Sequence, residues 1–139
     1  MQEKFNEATE LRPQGDRVID ATLVSINLPL FIEQIKKEKP WKDNDRNAIT
    51  VFKTNGLCIL LIALHKGAEM TKHTAVGMIS VQVLDGSIQF TTDEQSVEMD
   101  KGQMLALHEG IPHSVLAKEE AIFLLTITTK LTAQKEKIL

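Results

Sequence analysis

Apolar and polar positions change their rhythm near residue 48. Before it, Leu28, Phe31, Ile32 and Ile35 recur at i, i+3, i+4 and i+7, which puts four apolar side chains on one face of a helix. Asn27 can cap its first turn, and Pro29 sits there without harm because its missing N–H would be unpaired anyway. Pro40 is expected to stop this helix, with residues 41–47 as a polar connection. Residues 20–26 read as a strand whose apolar content is Leu23 and Val24, and residues 1–17 as a polar loop or loosely docked arm.

From Ala48 onward the period falls to two. Ile79, Val81 and Val83 alternate with Ser80 and Gln82, then Ile88 and Phe90 alternate with Gln89 and Thr91. Asn55-Gly56 and Asp85-Gly86 each predict a hairpin, since both residue types tolerate positive φ. Strands are expected over residues 48–53, 57–65, 78–84, 87–92, 96–99, 103–108, 113–117 and 121–129. Short, closely spaced strands after one small helix predict an all-β sandwich or barrel. The expected organisation is an arm, strand and short helix over residues 1–47 packed on a barrel of residues 48–129. A tail over residues 130–139 has helical propensity but few apolar residues.

Composition narrows the function classes. A chain of 139 residues suits one domain, and 42% hydrophobic with 25% charged residues reads as an ordinary globular protein. A net charge of -3 gives no general attraction to nucleic acid or anionic lipid. Lys36, Lys37, Lys39 and Lys42 are interleaved with Glu38 and Asp43, the pattern of a solvated helix end. The single cysteine, Cys58, lies in the apolar run Leu57-Cys58-Ile59-Leu60-Leu61 and reads as a buried, unreactive thiol. The polar N-terminus lacks the apolar centre of a signal peptide, and no apolar run approaches the roughly 20 residues that span a bilayer. The expected location is the cytoplasm.

The stretch from Gly67 to Ala117 resembles the paired motifs of the cupin superfamily. Gly67, His73 and Gly86 fall in register with the first motif. Gly102, Gly110 and His113, followed by Ser114 and Val115, fall in register with the second. The resemblance implies an antiparallel β-barrel of the jelly-roll type, and the one short N-terminal helix read from the apolar spacing lies outside it. The resemblance also implies a metal site of three histidines and a glutamate around iron, manganese, nickel or zinc. Here the set is depleted. His73 and His113 hold the first and last histidine positions, but Ala75 stands at the second histidine and Ile79 at the glutamate. His108 replaces the usual proline of the second motif and Ala117 the usual asparagine.

Chemistry decides what such a set can do. Positions 73 and 75 of one strand share a face about 6.6 Å apart, so a metal between them could take both side chains, but alanine offers no donor. Two histidines still hold a metal if a carboxylate completes the triad. Glu69 lies roughly 13 Å along the strand from His73, too far without a bulge. Glu109 falls in a turn facing solvent. His108 is the best substitute third ligand, although it can equally point out of the barrel, and His65 beside Lys66 reads as a turn histidine. No cofactor is certain.

The function expected is binding of a small organic molecule in a barrel-mouth pocket without a full metal site. Its lining is expected from His73, Thr74, Met78, Ile79, Met104, His108 and His113. The alternative is a metal-dependent oxygenase or isomerase using His73, His113 and His108. Cupin-like barrels often pair through a sheet face. Apolar residues on both faces of 57–64 exceed what one interior needs, which predicts a homodimer unless the helix covers them.

Overall fold

The computed structural model describes residues 4–6 and 17–130. Strands β1 (Lys4–Asn6) and β2 (Arg17–Asp20) form a two-stranded antiparallel ribbon. Helices α1 (Leu28–Lys37) and α2 (Lys39–Asp43) follow. Then come β3 (Arg46–Thr54), β4 (Leu57–Leu64), β5 (Glu69–His73), β6 (Ile79–Asp85), β7 (Ser87–Thr92), β8 (Ser96–Asp100), β9 (Met104–Leu107), β10 (His113–Ala117) and β11 (Ala121–Thr128). One sheet runs β3-β4-β11-β6-β9 and the other β5-β10-β7-β8, with every ladder antiparallel.

Alternation along the strands builds two cores. Ile62 and Leu64 on β4, Val81 and Val83 on β6 and Phe123 on β11 face Ile88 and Phe90 on β7, Met99 on β8 and Val115 on β10. This is the barrel interior, and each such side chain contributes about 1.5–3 kcal/mol on full burial. The opposite face of the five-stranded sheet carries Ile49, Val51, Leu61, Ala63 and Ile122, which pack beneath Ile35 and Trp41 with Phe31 and Ile32 alongside. The two apolar faces of β4 are thus both used inside one chain, and they supply no argument for a second copy.

The helix forms as its sequence dictates. Asn27 Oδ1 accepts from the Leu30 N–H at 3.3 Å, and Pro29 lies in the first turn. The interior strands also follow the predicted alternation, and the Asn55-Gly56 turn joins β3 to β4, with Thr54 opposite Leu57.

Several expectations require correction. The strand placed at residues 20–26 lies upstream, at Arg17–Asp20, because β1 pairs there. Leu23 instead remains 79% exposed with no ladder to join. Lys4–Asn6 is strand where a loop arm was expected; residues 1–3, 7–16 and 131–139 of the arm and tail lie outside the described residues. Pro40 opens α2 rather than only closing α1. Glu38 is extended (φ -80, ψ 152) and breaks the helix first, after which proline suits a first turn and Trp41 becomes buried. Glu38 itself is not solvated. It is 4% exposed and receives the side-chain amides of Gln34 at 2.7 Å and Asn47 at 3.0 Å.

The last of these corrections is topological. Asp85-Gly86 does not close a hairpin, because β6 and β7 belong to different sheets. Gly86 has φ +75, and a Cβ there would sit 1.9 Å from the Glu120 carbonyl oxygen. The dipeptide turns the chain from one sheet to the other over the start of β11. Its positive φ was legible, whereas the pairing of its flanking strands was not.

Candidate functional site

β5, unassigned by alternation, pairs with β10 so that His73 faces His113. Their ring centroids lie 4.3 Å apart, edge to face at 61°. Strand alternation turns His113 inward with Val115 and Ala117, and it is 4% exposed, whereas His73 at the strand end is exposed. On its other side His113 lies nearly parallel to Phe90, at 5.2 Å and 11°. Phe90 is brought there by the β10–β7 ladder, which also sets Thr92 opposite His113.

Both imidazoles are anchored in the same way. His73 Nδ1 is 2.6 Å from the Thr71 carbonyl oxygen, and His113 Nδ1 is 2.9 Å from that of Ile111. A carbonyl only accepts, so each Nδ1 donates its proton and the neutral ring keeps a lone pair on Nε2. Backbone two residues upstream therefore fixes the tautomer at both positions. The pair can accept hydrogen bonds or bind a metal through Nε2.

A cavity of about 110 Å³ lies where the edge strands of the two sheets face each other; neither imidazole lines it, and it meets the pair only through Phe90 and Thr92. Phe90, Thr92, Gln95, Val97, Leu105 and Leu107 line it. Val97 and Gln95 carried no signal beyond strand and turn, and Phe90 read only as alternation. What places them here is pairing between distant segments, which local pattern does not encode.

The seven residues expected to line one pocket do not come together. His73 and His113 meet across the β5–β10 pairing, His113 buried and His73 exposed. Met78, Ile79 and His108 line a separate hollow of about 300 Å³, together with Ser80, Ala106, Leu107, Thr126 and Thr128. Ser80 lies opposite Thr126 on one side and Ala106 on the other, and this row shares the outward parity of Leu84 and Leu124 beneath α1. The hollow is thus on the outer face of the five-stranded sheet. Met104 is 60% exposed on that face, and Thr74 is exposed beyond the end of β5.

The remaining metal-ligand expectations also resolve. Ala75 lies beyond β5, where its carbonyl accepts from the Gly110 N–H at 3.2 Å. Ile79 is 5% exposed within the interior core. A register shift between His113 and Val115 sets Glu69 opposite Leu116, on the reverse side from His113. Glu69 and Glu109 are both exposed. Among the described residues no group of three His, Cys, Asp or Glu side chains is placed to hold a metal ion. The residues present therefore do not fit the four-donor site that the motif resemblance implies. His65 is structural: its ring stacks on Trp41 at 3.4 Å and its Nε2 donates to the Trp41 carbonyl oxygen at 2.8 Å.

Away from the site, neighbouring charge and burial shift several groups, Asp45 and Cys58 among them. Arg46 beside Asp45 donates to its carboxylate and holds it below the usual range. Burial pushes the Cys58 thiol up, opposed by the charge of Lys53. Among the described residues, no helix is long and apolar enough to cross a membrane.

The sequence matches no protein-family model and no curated protein. Solved structures do resemble it. A conserved protein of unknown function from Streptococcus pyogenes superposes with a TM-score of 0.61 and 27% identity, covering 65% of this chain and 79% of that one. A cupin superfamily protein from Desulfitobacterium hafniense gives 0.62 at 14% identity, covering 91% of this chain and 99% of its own. A mutant salicylate 1,2-dioxygenase from Pseudoaminobacter salicylatoxidans gives 0.68 at 16% identity, covering 79% of this chain but 37% of its own.

Proposed function

This chain has the cupin fold, and from that premise we propose that it binds a small organic molecule in the barrel interior, against His73 and His113. The observation that carries the reading is the pair of anchored imidazoles, with both Nε2 atoms available to accept, joined through Phe90 and Thr92 to a cavity of about 110 Å³. Phe90 stacks on the His113 ring and also lines the cavity, so a ligand lying against Phe90 comes next to the pair. Leu105, Leu107 and Val97 give the cavity apolar walls and the Gln95 side chain adds a polar group, while the Thr92 hydroxyl is engaged in its own turn. A ligand hydroxyl or N–H would donate to an imidazole Nε2.

One observation favours a second reading. Metal-bound histidines hold their other ring nitrogen in a hydrogen bond, as His73 and His113 do here. In that reading a divalent metal sits on two histidines with water at the remaining positions, and the chain is an oxygenase or isomerase of reduced ligand set. His108 does not join it, since it lines the outer hollow.

Ligand-observed NMR with a panel of small alcohols, amides and phenols separates these readings when paired with elemental analysis. Protein purified without chelator or histidine tag is expected to be metal-free and to retain binders that His113→Ala loses. Near-stoichiometric metal removed by His73→Ala would establish the second reading. Binders indifferent to His113→Ala would overturn the first.

A further inference from the structure

The outer hollow lies apart from the histidine pair, and we propose that it is a second binding site, for a small aromatic carboxylate. Its floor is two cross-strand rows. Thr126, Ser80 and Ala106 form one, and continuing the same register brings Thr128, Met78 and His108 together as the next. Helix α1 packs over the neighbouring part of this face, at Leu61, Ile122 and Leu124, and none of its residues lines the hollow. A volume of about 300 Å³ reaches the lower end of the ~300–1,000 Å³ range of ligand pockets.

The lining selects the class of occupant. Met78 and Ala106 give an apolar bed over the strand backbone at Ile79 and Leu107, whose side chains belong to the interior core, and Met78 stays 49% exposed. Its flexible thioether favours contact with an aromatic ring edge. Polar capacity is concentrated at Ser80, Thr126 and His108, whose side chains have no hydrogen-bond partner among the described residues. Two hydroxyls and an imidazole can all donate to an oxygen anion. No carboxylate lines the hollow, so nothing there would pair with an ammonium group. His108 is exposed at the rim, so it would meet the outer edge of a carboxylate held on Ser80 and Thr126 while the ring lies against Met78 and Ala106.

The site is independent of the interior reading although one strand separates them, for Ala106 and Leu107 border both cavities. Ala106 is an exposed outer-face position, so enlarging it fills the hollow without touching either core.

Benzoate is the probe, with cyclohexylmethylamine as the cationic control, followed by amide and methyl NMR shifts on the full chain. Shifts are expected to cluster at Met78, Ala106, Thr126 and His108. Ala106→Leu should abolish them, Ser80→Ala with Thr126→Val should weaken affinity about tenfold, consistent with two lost hydrogen bonds, and His113→Ala should leave them unchanged. Shifts confined to Phe90, Val97 and His113 would overturn the outer site while supporting the interior one. Benzoate binding that survives Ala106→Leu, or amine binding as tight as benzoate, would overturn the proposal, as would no benzoate binding at millimolar concentration by protein whose spectrum is folded.

Discussion

Gly77→Ala isolates the joint that holds the site loop to the end of β11. A Cβ at Gly77 would lie 1.3 Å from the Thr128 carbonyl oxygen and 2.5 Å from its carbonyl carbon, both backbone atoms. Ordinary contact begins near 3.4 Å, so one segment must retreat by roughly 2 Å. Two hydrogen bonds lie in the path, Thr128 N–H to Met78 O at 2.9 Å and Thr129 N–H to Gly56 O at 3.0 Å. Losing both costs about 2 kcal/mol, and overpacking adds about 1–3 kcal/mol. The expected destabilisation is about 3–5 kcal/mol. With a urea dependence of about 2 kcal/mol per molar, the midpoint should fall by about 1.5–2.5 M. Gly102→Ala is the control. It has φ +91 but nothing within 4 Å of the new Cβ, so only backbone strain of about 1–2 kcal/mol applies. Equal midpoints for the two variants, or a Gly77→Ala midpoint within about 0.3 M of the parent, would refute the close-approach reasoning.

Further outcomes are expected elsewhere. Asn47→Ala removes the donor to Ile35 O and Glu38 and the acceptor of the Ala48 N–H, and should cost about 1–3 kcal/mol in urea titration, since the Glu38 carboxylate is left buried with fewer partners. Because the Asp45 carboxyl is held below its unfolded value, its contribution is present above about pH 4 and lost as pH falls through the folded value. Asp45→Asn should therefore flatten the acid limb of a stability–pH curve, and an unchanged limb would remove Asp45 from the account. Cys58, with its thiol raised by burial, should react with a disulfide reagent at pH 8 more slowly than a model peptide thiol. Ala75→His with Ile79→Glu should raise divalent-metal affinity measured by titration calorimetry; a folded double variant with no gain would show that residues 75 and 79 do not face the histidine pair.

Legibility followed the range of the interactions concerned. Ile79, Val81, Val83, Ile88 and Phe90 announced interior strands because period two is a local property of the chain. The glycine and histidine spacing around Gly67, His73, Gly102 and His113 placed the two imidazoles on strands that the structure pairs. Burial of Glu38 was not legible, since its partner Asn47 lies across a helix break that Pro40 disguised as a stop. Nor was the division of the expected pocket. Met78 and His108 look adjacent to His73 and His113 in sequence, but strand parity and the residues just outside β6 and β9 send them to the other side of the sheet. The bulge opposite β10 likewise turns Glu69 away, and nothing in the alternation of residues 69–73 signals it.

The strand order has a consequence for the chain as it leaves a ribosome. β11 is the last strand of the barrel, yet it fills the middle of the five-stranded sheet, between β4 and β6. Until Ala121–Thr128 emerges, β4 has only β3 beside it, and its run of Leu60, Leu61, Ile62, Ala63 and Leu64 cannot complete either core. Synthesis adds residues at about 5–20 per second, so this segment waits several seconds for its partner. Nascent chains arrested before β11 should therefore be caught by chaperones at Leu57–Leu64, and β4 is where slowed translation or truncation would first show as aggregation.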